Sequence, residues 1–190
     1  MLNMITTLFF DFSGVVASSA YYRWALDNLS DDVQLATIFT QLDRGDISLG
    51  ELHELFSTKT GIPETQIQKE ALQNVVIDRE LLKLITDIKK KYAIVLLTNY
   101  NHEILELIFS EHSLHGIFDE VIISSEYGMA KPDKEFFEKA LKIMHVTPEE
   151  SFFTDDSQKN VEGASAIGIN AHRYTSLDSL KIALGKLVSL

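Results

Sequence analysis

Cysteine is missing from all 190 residues, which excludes disulfides and thiolate metal sites. That absence agrees with a reducing compartment, and a cytoplasmic location is expected. Positive charge is scarce: 17 Lys and Arg stand against 28 Asp and Glu, for a formal charge of −11. An acidic surface disfavours nucleic acid and anionic membranes as partners. No apolar run approaches the roughly 20 residues of a membrane span. The start, Met1-Leu2-Asn3-Met4, lacks the basic residues of a secretory signal. Internal repeats and low-complexity stretches are also absent. What remains is ordinary globular composition, 45% apolar and 24% charged. A chain of this length buries about 70% of its unfolded surface, enough for a core without staples. Length points to one domain, or one domain carrying a modest insertion.

Hydrophobic periodicity divides the chain. Thr6-Thr7-Leu8-Phe9-Phe10 is a short β-rich run that stops at Asp11, with Gly14 in a turn-like position. From about Ser18 to Val76 the spacing is helical, as in Tyr21, Trp24, Ala25 and Leu29, then Leu35, Ile38, Phe39 and Leu42, then Leu49, Leu52, Leu55 and Phe56. Gly45, Gly61 and Pro63 punctuate these helices. Leu81–Lys90 reads as an amphipathic helix. Ala93-Ile94-Val95-Leu96-Leu97 is a continuous apolar run, expected of a strand buried on both faces. Strands at Val121–Ile123, Ser151–Thr154 and Asn170–Tyr174 then alternate with helices at Glu103–Phe109, Glu135–Met144, Val161–Ile167 and Leu177–Val188. Such alternation predicts an α/β fold, a Rossmann-like parallel sheet with helices on both faces. The sixty helical residues after the first strand are too many for a crossover. They predict an inserted α-helical cap over 17–83, with the core formed by 1–16 and 84–190.

Four polar clusters fall where strands end: Asp11-Phe12-Ser13, Thr98-Asn99, the loop from Gly128 to Pro132 around Lys131, and Asp155-Asp156-Ser157. Strand ends of one polarity converge on one sheet edge, where ligands bind. Singly, each cluster has a bland explanation. Asp after a strand is often a turn or N-cap residue, Thr-Asn caps helices, and Lys-Pro is usually solvated loop. Together they would bring three carboxylates, a hydroxyl and an ammonium to one place. Three such carboxylates repel unless a cation lies between them, and Mg²⁺ suits one or two carboxylates plus substrate phosphate oxygens. An Asp carboxylate is also a competent nucleophile toward phosphorus. The metal and Lys131 would supply the positive field that an acidic chain otherwise lacks.

These clusters, in this order, resemble the four motifs of the haloacid dehalogenase-like hydrolase superfamily. The first reads Phe9-Phe10-Asp11-Phe12-Ser13-Gly14-Val15-Val16. The second is Leu96-Leu97-Thr98-Asn99, the third Gly128-Met129-Ala130-Lys131-Pro132, and the fourth Phe153-Thr154-Asp155-Asp156-Ser157 continued by Asn160, Glu162, Gly163 and Ala164. The helical insertion corresponds to a small cap of that superfamily's first type. The resemblance implies a Mg²⁺-dependent phosphatase acting through an aspartyl phosphate on a small phosphorylated metabolite, with a sugar phosphate as one candidate. It implies Asp11 as nucleophile and metal ligand, the Ser13 carbonyl as metal ligand, and Thr98 and Lys131 as holders of the phosphoryl group. Asp156 would bind the metal directly, with Asp155 beside it as a further metal ligand, direct or through water. Asn99 and Ser13 are the expected substrate contacts. Arg44-Gly45-Asp46-Ile47-Ser48, Glu126-Tyr127-Gly128-Met129 and Asn160 to Ala164 further resemble bacterial α-D-glucose-1-phosphate phosphatases.

One position departs from the superfamily pattern. Its usual second Asp, which protonates the leaving group and later activates water, is Ser13 here, and a hydroxyl is a poor general acid. The glucose-1-phosphatase-like group also lacks that Asp. Ser13 is expected to slow the enzyme or restrict it to good leaving groups. A 2-haloacid dehalogenase lacks this Asp as well, but its fourth motif lacks the acidic pair, so Asp155-Asp156 argues against it. A catalytically weak phosphometabolite-binding or regulatory protein is the other alternative. In the cap, Tyr21 and Trp24 are expected to pack, and Arg23 is a candidate phosphate or sugar contact.

Overall fold

The computed structural model describes residues 4–29 and 32–185. Outside it lie the Met1–Asn3 start and the end of the last expected helix, up to Val188. Five strands form one sheet: β1 (Thr7–Phe10), β2 (Ala93–Thr98), β3 (Glu120–Ile123), β4 (Ser151–Asp155) and β5 (Asn170–Arg173). Their order is β3-β2-β1-β4-β5, and every pairing is parallel. The expected parallel α/β sheet is therefore present.

Alternation along each strand feeds two cores. Leu8, Phe10, Ile94, Leu96 and Phe152 face one, and Phe9, Val95, Leu97, Ile122 and Phe153 the other. That double burial explains the uninterrupted apolar run in β2. On the second face, α8 (Lys134–Met144) supplies Phe136, Phe137, Ala140 and Leu141, and α9 (Gln158–Ala166) supplies Ala164. On the first face pack α5 (Arg79–Ile88), α6 (His102–His112) and α10 (Leu177–Gly185). A short α7 (Ser124–Tyr127) follows β3 directly.

The helical stretch after β1 resolves into α1 (Ala20–Asn28), α2 (Asp32–Arg44), α3 (Leu49–Thr60) and α4 (Glu64–Gln73). Ser48 opens α3 with a reciprocal capping box to Glu51, and Gly61 closes it in the left-handed region. Trp24 stacks on Phe56, with centroids 5.7 Å apart, and donates from Nε1 to Glu70 at 2.9 Å. The two ends of the stretch lie side by side. Ala17 bridges Ile77 in antiparallel fashion, Ser18 N donates to Val76 O, and Asp78 N donates to Val16 O, both at 2.9 Å. Asp78 then caps α5 by accepting from Leu81 N at 2.9 Å, so a boundary at 83/84 falls inside that helix.

Candidate active site

Parallel pairing sets the site. Phe10 is in register with Thr154, and Asp11 N donates to Thr154 O at 3.0 Å. Asp11 therefore emerges beside Asp155, the last residue of β4. Lys131, from the loop between α7 and α8, reaches across both. Its Nζ lies 2.8 Å from Asp11 Oδ1 and 2.7 Å from Asp155 Oδ2, and donates to Leu97 O at the end of β2 at 2.8 Å. It also sits 5.2 Å from the centre of the Phe153 ring. The Lys131 and Asp155 side chains are fully buried, and that of Asp11 is 9% exposed.

Charge is unevenly accommodated here. Burial opposes the Lys131 ammonium, but Asp11 and Asp155 outweigh it and hold its pKa above the ordinary lysine range. Burial pushes the Asp11 carboxyl up to about 7, against the pull of Lys131, and the charge of Asp155 adds to the rise. Burial, and then the Asp155 charge, also raise Asp156 above its ordinary value.

Asp155 has little freedom. Besides Lys131, its Oδ2 accepts from Asn160 Nδ2 at 3.0 Å, and its Oδ1 accepts from Ser157 N at 2.8 Å. Asp156, by contrast, is exposed and leans over Gly14. Gly14 has φ of +80°, and a Cβ there would come within 2.3 Å of Asp156 Oδ2. The carboxylate thus occupies space that only glycine leaves open. One oxygen from each of Asp11, Asp155 and Asp156 lies within 4.8 Å of the others. Two ligands on one Mg²⁺, each at 2.0–2.1 Å, span at most about 4.2 Å. Hard oxygen donors at this spacing fit such a cation with small adjustments.

The remaining expected residues are placed as follows. Asn99 lines the cavity, yet both ends of its amide are used by the Lys131 backbone: Nδ2 donates to Lys131 O and Oδ1 accepts from Lys131 N, each at 2.8 Å. Thr98 is fully buried and is not among the residues lining the cavity, and its hydroxyl has no partner among the described residues. Ser13 lines the cavity, with its Oγ 2.6 Å from Ser19 Oγ. Trp24 packs as expected, whereas Tyr21 is buried and also lines the cavity. Arg23 is exposed and away from the cavity wall. Arg44 pairs with Asp133 at 2.5 Å.

The cavity above these groups holds about 330 Å³. The core supplies Asp11, Ser13, Asn99, Lys131, Asp156 and Asn160, and the helices above supply Tyr21, Tyr22, Phe39, Thr40 and Asp43. Asp43 has no place in the sequence expectations, although Arg44-Gly45 beside it carries part of the resemblance. Asn160 enters them only as a continuation of its motif.

Known proteins are similar to this chain in sequence and in fold. A family model for haloacid dehalogenase-like hydrolases matches residues 5–168. D-ribitol-5-phosphate phosphatase of Bacteroides thetaiotaomicron is 28% identical over 184 residues, covering 87% of this chain and 89% of that protein. A HAD family enzyme of the same organism, crystallised with magnesium and inorganic phosphate, superposes with a TM-score of 0.78 at 25% identity, over 91% of this chain and 96% of that one. A HAD-like family hydrolase of Porphyromonas gingivalis superposes with a TM-score of 0.79 at 25% identity, over 97% and 98%.

Proposed function

The chain belongs to the haloacid dehalogenase-like hydrolase family, and from that premise we propose that it is a Mg²⁺-dependent phosphatase of a small phosphorylated metabolite, of the sugar or sugar-alcohol phosphate class. The observation that carries the reading is Lys131, buried between Asp11 and Asp155 where three strand ends meet. An ammonium fixed there neutralises charge on a phosphoryl group docked against Asp11. Asp11 attacks phosphorus, forming an aspartyl phosphate that water then hydrolyses. Asp11, Asp156 and the Ser13 carbonyl would hold Mg²⁺, with Asp155 beside them fixing Lys131. When bound, the ion neutralises phosphate charge and lets Asp11 approach it. Thr98 and Lys131 would hold the phosphoryl oxygens. Asn99 orients Lys131, and Ser13 contacts substrate from the cavity wall.

The magnesium- and phosphate-bound relative and the D-ribitol-5-phosphate phosphatase support the cation and the substrate class. Hydroxyls of Ser13, Ser19, Tyr22 and Thr40 around the cavity suit a polyol or sugar. Residues 18–76, entered and left through the paired segments at 16–18 and 76–78, would act as the cap that selects it. No described helix is long and apolar enough to cross a membrane, and the cysteine-free acidic composition supports a cytoplasmic metabolite partner. The acidic pair Asp155-Asp156 disfavours a dehalogenase.

The test is phosphate release from a panel of sugar, polyol and acyl phosphates, with and without Mg²⁺. Release that needs Mg²⁺ and is lost in Asp11→Asn is expected. Release undiminished in Asp11→Asn would overturn the reading.

A further inference from the structure

Breaking a phosphate ester of an alcohol leaves an alkoxide that needs a proton, and the water that follows needs a base. Ser13 supplies neither. Among the described residues, the titratable groups on the cavity wall are Asp11, Asp156, Lys131, Tyr21, Tyr22, Tyr100 and Asp43. Asp11 is the nucleophile, Asp156 faces Gly14 among the oxygen donors, and Lys131 is held between two carboxylates. Burial drives Tyr21 and Tyr100 far above the ordinary tyrosine value, which makes their phenols weaker proton donors and leaves no phenolate to act as a base. Tyr22 stands exposed at the outer wall, edge-on to Phe39 with ring centroids 5.1 Å apart. Asp43 remains.

Its position is built rather than incidental. Asp43 lies in the last turn of α2, where the helix dipole disfavours an anion and so favours a held proton. The backbone is clamped to the core on either side. Asp43 O accepts from Ser124 Oγ, and the same Ser124 Oγ accepts from Tyr100 N at 2.9 Å. Arg44 turns away to Asp133 at 2.5 Å and reaches Gly128 O at 3.5 Å. Gly45, at φ +75°, lies so close to α7 that a Cβ would come within 2.6 Å of Ser125 O. These contacts tie the cap residue to the loop that carries Lys131. The carboxyl is near enough to Asp11 and Lys131 to feel both charges, and Tyr100 in turn feels Asp43.

We propose that Asp43 is the general acid and base of the reaction, delivered from the cap. As an Asp11 oxygen bonds to phosphorus and the ester P–O bond breaks, the Asp43 proton goes to the leaving oxygen, giving the free alcohol. Water then attacks the aspartyl phosphate and loses its proton to the Asp43 carboxylate. The P–O bond to Asp11 breaks, releasing inorganic phosphate and restoring both side chains. Burial, reinforced by the Asp11 charge and opposed by Lys131, lifts the Asp43 pKa to about 7, close to what a group serving both steps needs.

The assignment rests on the phosphatase reading, and the experiment separates the two. kcat/KM, which reports only steps through ester cleavage, is compared for an alkyl phosphate and for 2,4-dinitrophenyl phosphate, whose leaving group needs no proton. In Asp43→Asn the alkyl ester is expected to lose 10²–10⁴-fold, and the dinitrophenyl ester at least ten times less. Ser13→Asp added to Asp43→Asn is expected to recover part of the alkyl activity, which also shows that the fold is intact. Equal losses on both esters, or no loss on either, would overturn the role of Asp43 and leave the phosphatase standing. Wild-type protein that cleaves neither ester with Mg²⁺ would overturn the phosphatase reading, and this role with it.

Discussion

Lys131 Nζ and Asp11 Oδ1 are 2.8 Å apart, with the lysine side chain fully buried and the aspartate nearly so. Two charges withdrawn this far from water persist only when each is paired. Removing the ammonium strands Asp11 against Asp155. Lys131→Met is therefore expected to destabilise the metal-free protein by about 3–5 kcal/mol, measured by urea unfolding. Saturating Mg²⁺ should recover part of that loss by restoring positive charge. A variant as stable as wild type, indifferent to Mg²⁺, would contradict this account of the cluster.

Gly14 and Asp156 make a second testable contact. Gly14→Ala places a methyl where Asp156 Oδ2 now lies and strains a backbone at φ +80°. Mg²⁺ affinity, read by calorimetric titration, should fall about 10- to 100-fold. Unchanged affinity would remove Asp156 from the proposed ligands.

Asn99 separates two roles that a sequence motif cannot. Its amide makes both of its hydrogen bonds to the Lys131 backbone, so its loss should misplace the ammonium rather than weaken substrate binding. Asn99→Ala is expected to lower kcat about 10- to 100-fold, the usual cost of losing a supporting contact, with little change in KM. A raised KM at constant kcat would make Asn99 a substrate contact instead.

Much of this site is written in strand ends. A carboxylate after β1 and another at the end of β4 meet because neighbouring parallel strands finish at the same edge, which the alternating pattern already predicts. Lys131 is less directly legible, since its loop trails β3 by several residues. Of the helices after β1, α1, α2 and α3 follow from periodicity, with Gly45, Gly61 and Pro63 marking the breaks. Their docking does not, because it rests on side-chain contacts far apart in sequence, such as Ser124 with Asp43 and Arg44 with Asp133. For that reason Asp43 reads as one more polar residue on an amphipathic helix until the fold places it on the same cavity wall as Asp11.

The pH dependence follows from the same carboxyl. With a pKa raised to about 7, Asp43 holds its proton below that pH and loses it above. Protonation of an alkoxide requires the acid form, so kcat/KM on alkyl phosphates should fall as pH rises through about 7. The descending limb should be missing from Asp43→Asn and weak for the dinitrophenyl ester. A limb that persists in Asp43→Asn would belong to another group.

The central claim is that Asp11 carries phosphate covalently. Borohydride reduces an acyl phosphate to an alcohol, so protein quenched during turnover and reduced should contain homoserine at position 11, identified by peptide mass spectrometry. Mg²⁺-dependent turnover with homoserine at position 11, and none in Asp11→Asn, is the expected result. Mg²⁺-dependent phosphate release that continues unchanged in Asp11→Asn, with residue 11 of the wild type never reduced, would contradict it.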